Sequence, residues 1–271
     1  RMSRVGRRIR DGAGGMRAPL AFLAAALLLW QVVTSTGLVK FYVLPAPSTV
    51  LEAMARYGPT IAEESLATLT VALAGFGLGT VAAIAVAMTL TYARLVRDAV
   101  YPLLLALRAL PFIAIIPILV VIMGTGYEPR ITVCALSTFL TTLVNLMRGL
   151  RSADAEVEEL MHTLNATGMQ RLLKVRAYAA RPYLLAALRI SASSCVIEAT
   201  VAEWITGDSG LGYLVQISGY TFQIGLMWAA IVVASALTLG LVGIITLVER
   251  VAMPWVPRGG VGAAARQGGA A

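Results

Sequence analysis

The stretch Arg148 to Tyr183, RGLRSADAEVEELMHTLNATGMQRLLKVRAYAARPY, is a polar insert between long apolar runs, and its reading decides the fold. Ser152 or Asp154 stands where a helix needs an N-cap. Glu156, Glu158 and Glu159 then favour the positive end of the helix dipole, and Val157, Leu160 and Leu164 fall on one face. Asn165 and Gly168 interrupt this pattern. A second one runs from Met169 to about Tyr178, with Leu172, Leu173 and Val175 apolar and Arg171, Lys174 and Arg176 basic, until Pro182 limits it. The spacing therefore predicts two short helices joined at a bend. Such a knob is either a solvated connector, as charged amphipathic loops often are, or the place where a membrane-embedded chain meets something soluble.

Composition points to the membrane around it. The chain is 58% hydrophobic and only 13% charged, with a mean hydropathy of +0.80, far from a soluble domain. A spanning helix needs about 20 apolar residues. Runs of that kind fall near Ala18 to Leu38, Ala67 to Ala93, Tyr101 to Gly124, Ile131 to Met147, Leu184 to Ile205 and Leu226 to Val248, which predicts six spans. The first run is long and lacks a small-residue cleavage site before Lys40, so it reads as a retained span rather than a signal peptide.

Orientation follows from the basic residues. Arg1, Arg4, Arg7, Arg8, Arg10 and Arg17 precede the first span, Arg94 and Arg97 follow the second, six basic residues from Arg148 to Arg181 follow the fourth, and Arg250, Arg258 and Arg266 follow the sixth. The opposite connections hold Lys40, Arg56 and Arg130, so both termini are expected in the cytoplasm. This asymmetry accounts for the net charge of +8, and nucleic acid is not an expected partner. The organisation expected is a basic segment over residues 1–17, a transmembrane domain over 18–249 containing the insert 148–183, and a low-complexity tail over 250–271.

The order of residues in the insert resembles the cytoplasmic coupling loop of binding-protein-dependent ABC importer permeases: Glu-Ala-Ala, a Gly six residues after the Glu, then Ile-x-Leu-Pro. Glu159 matches the Glu. Leu160 and Met161 stand in place of the alanines, Asn165 in place of the Gly, and Val175, Arg176, Ala177 and Tyr178 in place of Ile-x-Leu-Pro. LPAPSTV (44–50), RALPFIAIIP (108–117), VNLMRGLRSAD (144–154), KVRAYAARPYLLAALRIS (174–191) and SGLGYL (209–214) follow one another and are similar to the nitrate, sulfonate and taurine permease family.

The resemblance implies an all-α, six-span permease with a cytoplasmic two-helix coupling loop, in a bacterial plasma membrane. Its implied role is to form the translocation pathway of an ABC importer for a small solute, a nitrate, sulfonate or taurine-like anion or a vitamin precursor. Implied partners are ABC ATPase subunits, an extracytoplasmic solute-binding protein, and a second permease, identical or related. The ATPase seat is placed at Glu159, Leu164, Asn165, Ala166, Thr167 and Gly168. Asn165 is compatible with the bend, since Asn tolerates the left-handed region.

The chain's own chemistry agrees with a non-enzymatic subunit. Its only lysines, Lys40 and Lys174, follow no phosphate-binding loop pattern, so ATP and Mg2+ belong on the partner ATPase and no cofactor is expected in this chain. Cys134 and Cys195 show no ligand spacing and read as small core residues rather than a disulfide or metal site. His162 stands alone in the polar insert.

Charges inside the spans need a reason. Arg108 and Arg189 lie within snorkelling or pairing reach of the cytoplasmic side. Ala187, Ser191, Ser194 and Glu198 recur at spacings of four, three and four on one helix face, which either lines the translocation path or packs closely with a satisfied Glu. Glu203 points to nearly the opposite side, near the outer end, and matches the Ala-Glu that precedes the Gly-Leu-Gly-Tyr turn in the resembling family, which implies that it anchors that turn. Thr206 to Gly225 is too short to span and too apolar for a free loop. Leu211, Tyr213 and Tyr220 there are gate candidates by resemblance, with a plain surface cap as the other reading. Pro111 and Pro117 are expected to kink or break the third span, and Gly75 and Gly79 to mark close helix packing. A secondary transporter or channel using Glu198 as its ion site is the alternative from a different class.

Overall fold

Four stretches fold into helices that are both long and apolar enough to cross a membrane: Gly58–Thr91, Tyr127–Arg151, Gly168–Thr206 and Ile224–Ala252. They belong to a computed structural model that describes residues 21–253 apart from 38, 93 and 108–110. The basic segment 1–17, Arg108 and the tail beyond 253 lie outside the described residues. Every element among the described residues is helical. In chain order they are α1 (Ala21–Ser35), α2 (Pro47–Arg56), α3 (Gly58–Tyr92), α4 (Arg94–Leu107), a 3-10 turn (Phe112–Ile115), α5 (Ile116–Met123), α6 (Tyr127–Arg151), α7 (Ala155–Thr163) and α8 (Gly168–Arg171). A wide π-helical turn (Leu172–Arg176) leads into α9 (Ala177–Thr206), followed by α10 (Leu211–Tyr220) and α11 (Ile224–Ala252).

The second, fourth, fifth and sixth expected spans are these four long helices. The other two are present as shorter apolar helices, Ala21–Ser35 and Phe112–Met123. Proline explains the second case. Pro111 holds extended backbone ahead of the 3-10 turn and Pro117 occupies the first turn of α5, where a missing N–H costs nothing, so the run from Tyr101 to Gly124 is broken rather than kinked.

Lipid tails provide no hydrophobic drive for helices to associate, so close backbone approach must do so. Gly75 and Gly79 allow it: a Cβ on Gly75 would stand 2.3 Å from Cβ of Cys134, and one on Gly79 would stand 2.4 Å from the Ala135 carbonyl. The α3, α6 and α9 helices thus form a tight triad around Val71, Ala72, Cys134, Ala192, Cys195 and Ala199. A second core joins α2, α10 and α11 through Val50, Ala53, Leu211, Leu214 and Leu226. Outward faces carry Leu78, Val121, Ile122, Leu239 and Leu247 exposed, as a lipid- or partner-covered surface requires. The mostly exposed α1 is tied on at its end, where the Trp30 indole donates to the Pro45 carbonyl at 3.1 Å and lies tilted by 54° against Trp228, ring centroids 5.8 Å apart.

Candidate functional site

Helix α9 has a constructed region at each end. At its C-terminus Gly207 takes φ +67° and closes the helix by donating to the Glu203 carbonyl at 2.8 Å. The chain turns through Asp208 and Ser209 and starts α10, whose first N–H groups have no intrahelical acceptors. A glycine at the N-cap offers no side chain for them, so three other residues do. The Gly210 N–H donates to the Glu64 carboxylate, the Leu211 N–H to the Thr68 hydroxyl at 2.8 Å, and the Gly212 N–H to Glu203 Oε2 at 3.0 Å. The Thr68 hydroxyl in turn donates to the same Glu203 oxygen at 2.8 Å. Carboxylates at a helix N-terminus are also favoured by its dipole. Thr68 and Glu203 are fully buried.

The two glycines of this turn are there for space. Gly210 sits at φ +97°, and a Cβ on Gly212 would stand 1.8 Å from the Thr200 carbonyl oxygen. Arg130 of α6, 1% exposed, holds the turn from the other side. It pairs with Asp208 and donates to the Ser209 hydroxyl at 3.1 Å and the Thr125 carbonyl at 3.2 Å, with the Tyr127 ring 5.5 Å away. The anchoring role expected of Glu203 is what the geometry shows. Glu64, Thr68, Arg130 and Asp208 were not singled out by sequence, because 135 residues separate Thr68 from Glu203 and 78 separate Arg130 from Asp208.

At the other end lies the knob. Ser152 closes α6 by donating to the Gly149 carbonyl at 2.8 Å, and Asp154 caps α7 by accepting the Glu156 N–H at 3.0 Å. Asn165 makes the bend at φ +53°, and the Ala166 N–H returns to the Met161 carbonyl at 3.0 Å. Thr167 and Gln170 then form a reciprocal capping box on α8, a spacing that was readable in the sequence. Glu158, not Glu159, braces the knob: Arg176 donates through Nε and a terminal nitrogen to its two oxygens at 2.7 and 3.0 Å, and Arg171 lies 3.9 Å away. The hydrogen bonds from Arg176 hold the Glu158 carboxyl below its ordinary value, assisted by the charges of Arg176 and Arg171 against partial burial. Leu172 plugs the knob into a core with Leu90, Leu143 and Leu150, worth about 2 kcal/mol. Glu159, Leu164, Asn165, Thr167 and Gly168 are exposed and Ala166 is half-buried, all beside the bend. Leu160 and Leu164 stand 58% and 66% exposed, the most exposed of an apolar set that also includes Val157, Met169 and Leu173.

Between the two ends runs the polar face of α9. Ser191 is buried, while Ser194 and Glu198 are half-buried. Ser137 of α6 donates to Glu198 Oε1 at 2.6 Å, and Oε2 has no hydrogen-bond partner among the described residues. Near the turn, Leu211 is buried in the core with Val50, Ile61 and Leu226, so it fastens α10, whereas Tyr213 is half-buried and Tyr220 exposed. Arg189 pairs with Glu249 of α11.

Residues 75–252 match the model of a family described as "Binding-protein-dependent transport system inner membrane component". The chain is similar to an ABC transporter permease protein of Haemophilus influenzae, 30% identical over 221 residues that cover 82% of this chain and 90% of that one. It is 32% identical to the riboflavin transport system permease RibX of Chloroflexus aurantiacus, over 86% of this chain and 88% of that one. It is 30% identical to the formylaminopyrimidine transport permease ThiX of Halalkalibacterium halodurans, over 88% and 95%. A solved structure, "Crystal structure of an amino acid ABC transporter with histidines", superposes with a TM-score of 0.59 at 16% identity, covering 73% of this chain and 96% of that chain, and shares the fold.

Proposed function

This chain belongs to the binding-protein-dependent transport system inner membrane components and is a permease subunit of an ABC importer, and from that premise we propose how its parts work. The knob of α7 and α8 faces the cytoplasm and seats in a groove of an ABC ATPase through Leu160, Leu164 and the bend at Asn165, with Glu159 as an interface charge. The α1 helix and the broken α4–α5 run complete six crossings, both termini are cytoplasmic, and the Glu203 turn lies on the outer side. A second permease copy or a relative completes the pathway, and an extracytoplasmic binding protein delivers the solute. Ser191, Ser194 and Glu198 belong to the path-facing side of α9, and Tyr213 and Tyr220 to its outer mouth. The cargo class is a small organic anion or a vitamin precursor. ATP and Mg2+ are held by the ATPase.

One observation carries the mechanical part: the helical stretch Gly168–Thr206 joins knob and turn over 39 residues. At 1.5 Å per residue that is about 58 Å. Closure of the ATPase around nucleotide would move the knob, and this stretch, which stays helical through its π-helical turn and through Pro182, where the sequence alone predicts an end, would deliver the movement to the turn, switching access between the two sides. Gentle purification from the native membrane, with mass spectrometry of what accompanies the chain, tests the docking. An ATPase and a binding protein are expected with the native chain, and loss of the ATPase with the Glu159→Lys, Asn165→Asp double variant. Transport without any recoverable ATPase would overturn the docking role of the knob.

A further inference from the structure

Cys134 of α6 and Cys195 of α9 are 61 residues apart in sequence, yet both are fully buried and face each other. Each thiol points to the other's backbone, Cys134 Sγ at 3.5 Å from the Cys195 carbonyl and Cys195 Sγ at 3.7 Å from the Cys134 carbonyl. Their two sulfurs and a carboxylate oxygen of Glu198 all lie within 4.8 Å of one another. Glu198 keeps one oxygen on Ser137 at 2.6 Å, and its buried Oε2 has no partner among the described residues. The Thr138 hydroxyl stands 2.9 Å from Cys195 Sγ. Helical spacing creates the cluster: positions 134, 137 and 138 share a face of α6, and 195 and 198 share a face of α9.

Two sulfurs, a carboxylate and a neighbouring hydroxyl are a donor set for borderline-to-soft divalent cations without a strong geometric preference. With zinc–sulfur bonds of about 2.3 Å and zinc–oxygen bonds of about 2.0–2.2 Å, tetrahedral ligands stand about 3.5–3.8 Å apart, so the cluster need contract by no more than about 1.3 Å. We propose that Cys134, Cys195 and Glu198 form an intramembrane site for a thiophilic divalent cation of the zinc and cadmium class, with the Ser137 or Thr138 hydroxyl as fourth ligand. Binding makes two metal–sulfur bonds and one metal–oxygen bond while two thiol protons leave to solvent. The net charge of the site therefore stays at that of the lone carboxylate. Half-buried Glu198 is the side from which the ion enters. A bound cation ties α6 to α9, the helices that flank the knob. This inference does not depend on how the knob docks.

The test uses the full-length chain with a histidine-free affinity tag, reduced, chelator-stripped and titrated with cadmium chloride. The readouts are the thiolate-to-cadmium charge-transfer absorption and the melting temperature. The expected result is a band saturating at one cadmium per chain, displaced by zinc, with a raised melting temperature. Cys134→Ser and Cys195→Ser each abolish the band. Glu198→Gln weakens affinity by at least about tenfold, and His162→Ala changes nothing. Circular dichroism confirms that each variant is helical, and an alanine variant replaces any serine variant that is not. No saturable band, or a band that survives Cys134→Ser, overturns the site.

Discussion

The two ends of α9 are built in opposite ways. The Glu203 end is tied at several points around buried Thr68, Arg130 and Glu203: three N–H groups at the start of α10 are satisfied by Glu64, Thr68 and Glu203, while Arg130 holds Asp208 and Ser209 from α6. At the knob end the apolar residues Leu160 and Leu164 are exposed, and the Glu158 carboxylate pairs with Arg176 and Arg171. A buried polar network fixes one arrangement because every alternative leaves charges and N–H groups unsatisfied. An exposed apolar knob waits for a cover. The difference teaches that the turn is fastened to the α3–α6–α9 triad, whereas the knob leaves apolar side chains uncovered, as the proposed docking requires.

The contrast is broken most severely at Gly212. Gly212→Val drives a side chain into the Thr200 carbonyl and should cost about 3 kcal/mol or more, seen as collapse of the monodisperse peak in detergent chromatography. Arg130→Met removes the hold on Asp208, Ser209 and Thr125. It should cost about 2 kcal/mol, less than a fully buried pair because Asp208 is 47% exposed, and thermal unfolding measures it. Thr68→Val keeps the shape but leaves the Leu211 N–H and one Glu203 bond unmade, about 1–2 kcal/mol in the same assay. At the knob, Glu158→Gln should move unfolding by less than about 1 kcal/mol, as a partly exposed ion pair allows, yet reduce ATPase co-purification. If it destabilised the chain as much as Arg130→Met, the two ends would not differ as described.

The smallest effect is a pH dependence confined to the knob. Because the folded carboxyl of Glu158 lies below its ordinary value, its contribution is fully present above about pH 4.3 and is lost as pH falls through the depressed folded value. A spin label at Leu164 should become more mobile in that acid range, and Glu158→Gln should be mobile at every pH.

Much of this was legible because it is local. Apolar runs gave the four long helices, Asp154 and Asn165 gave the cap and bend of the knob, and Gly75 and Gly79 marked the approach of α3 to α6. Glu203 could be assigned to its turn because the Ala-Glu and the Gly-Leu-Gly-Tyr of the resembling motif stand close together in sequence, and the Gly212 N–H that it accepts is nine residues away. What escaped was long-range or geometric. Thr68 resembles any helical threonine until α10 is folded onto it, and Arg130 resembles a connection charge until Asp208 meets it. Leu211, a gate candidate by motif, is a core residue by packing. At the break before α5 the apolar run is continuous by composition, and proline's backbone rather than hydropathy divides it.

The central claim is that α9 carries the knob and the turn as one body. A spin-label pair at Glu156 of α7 and Tyr220, both exposed, with one labelled copy per assembly, measures it directly. The intrachain distance should be the same with and without ATP, while the distance between the knobs of the two permeases, read from assemblies labelled once on each knob, changes. A change of intrachain distance on the order of 5 Å, one helical turn, would mean that α9 bends between its ends, and the account would be wrong.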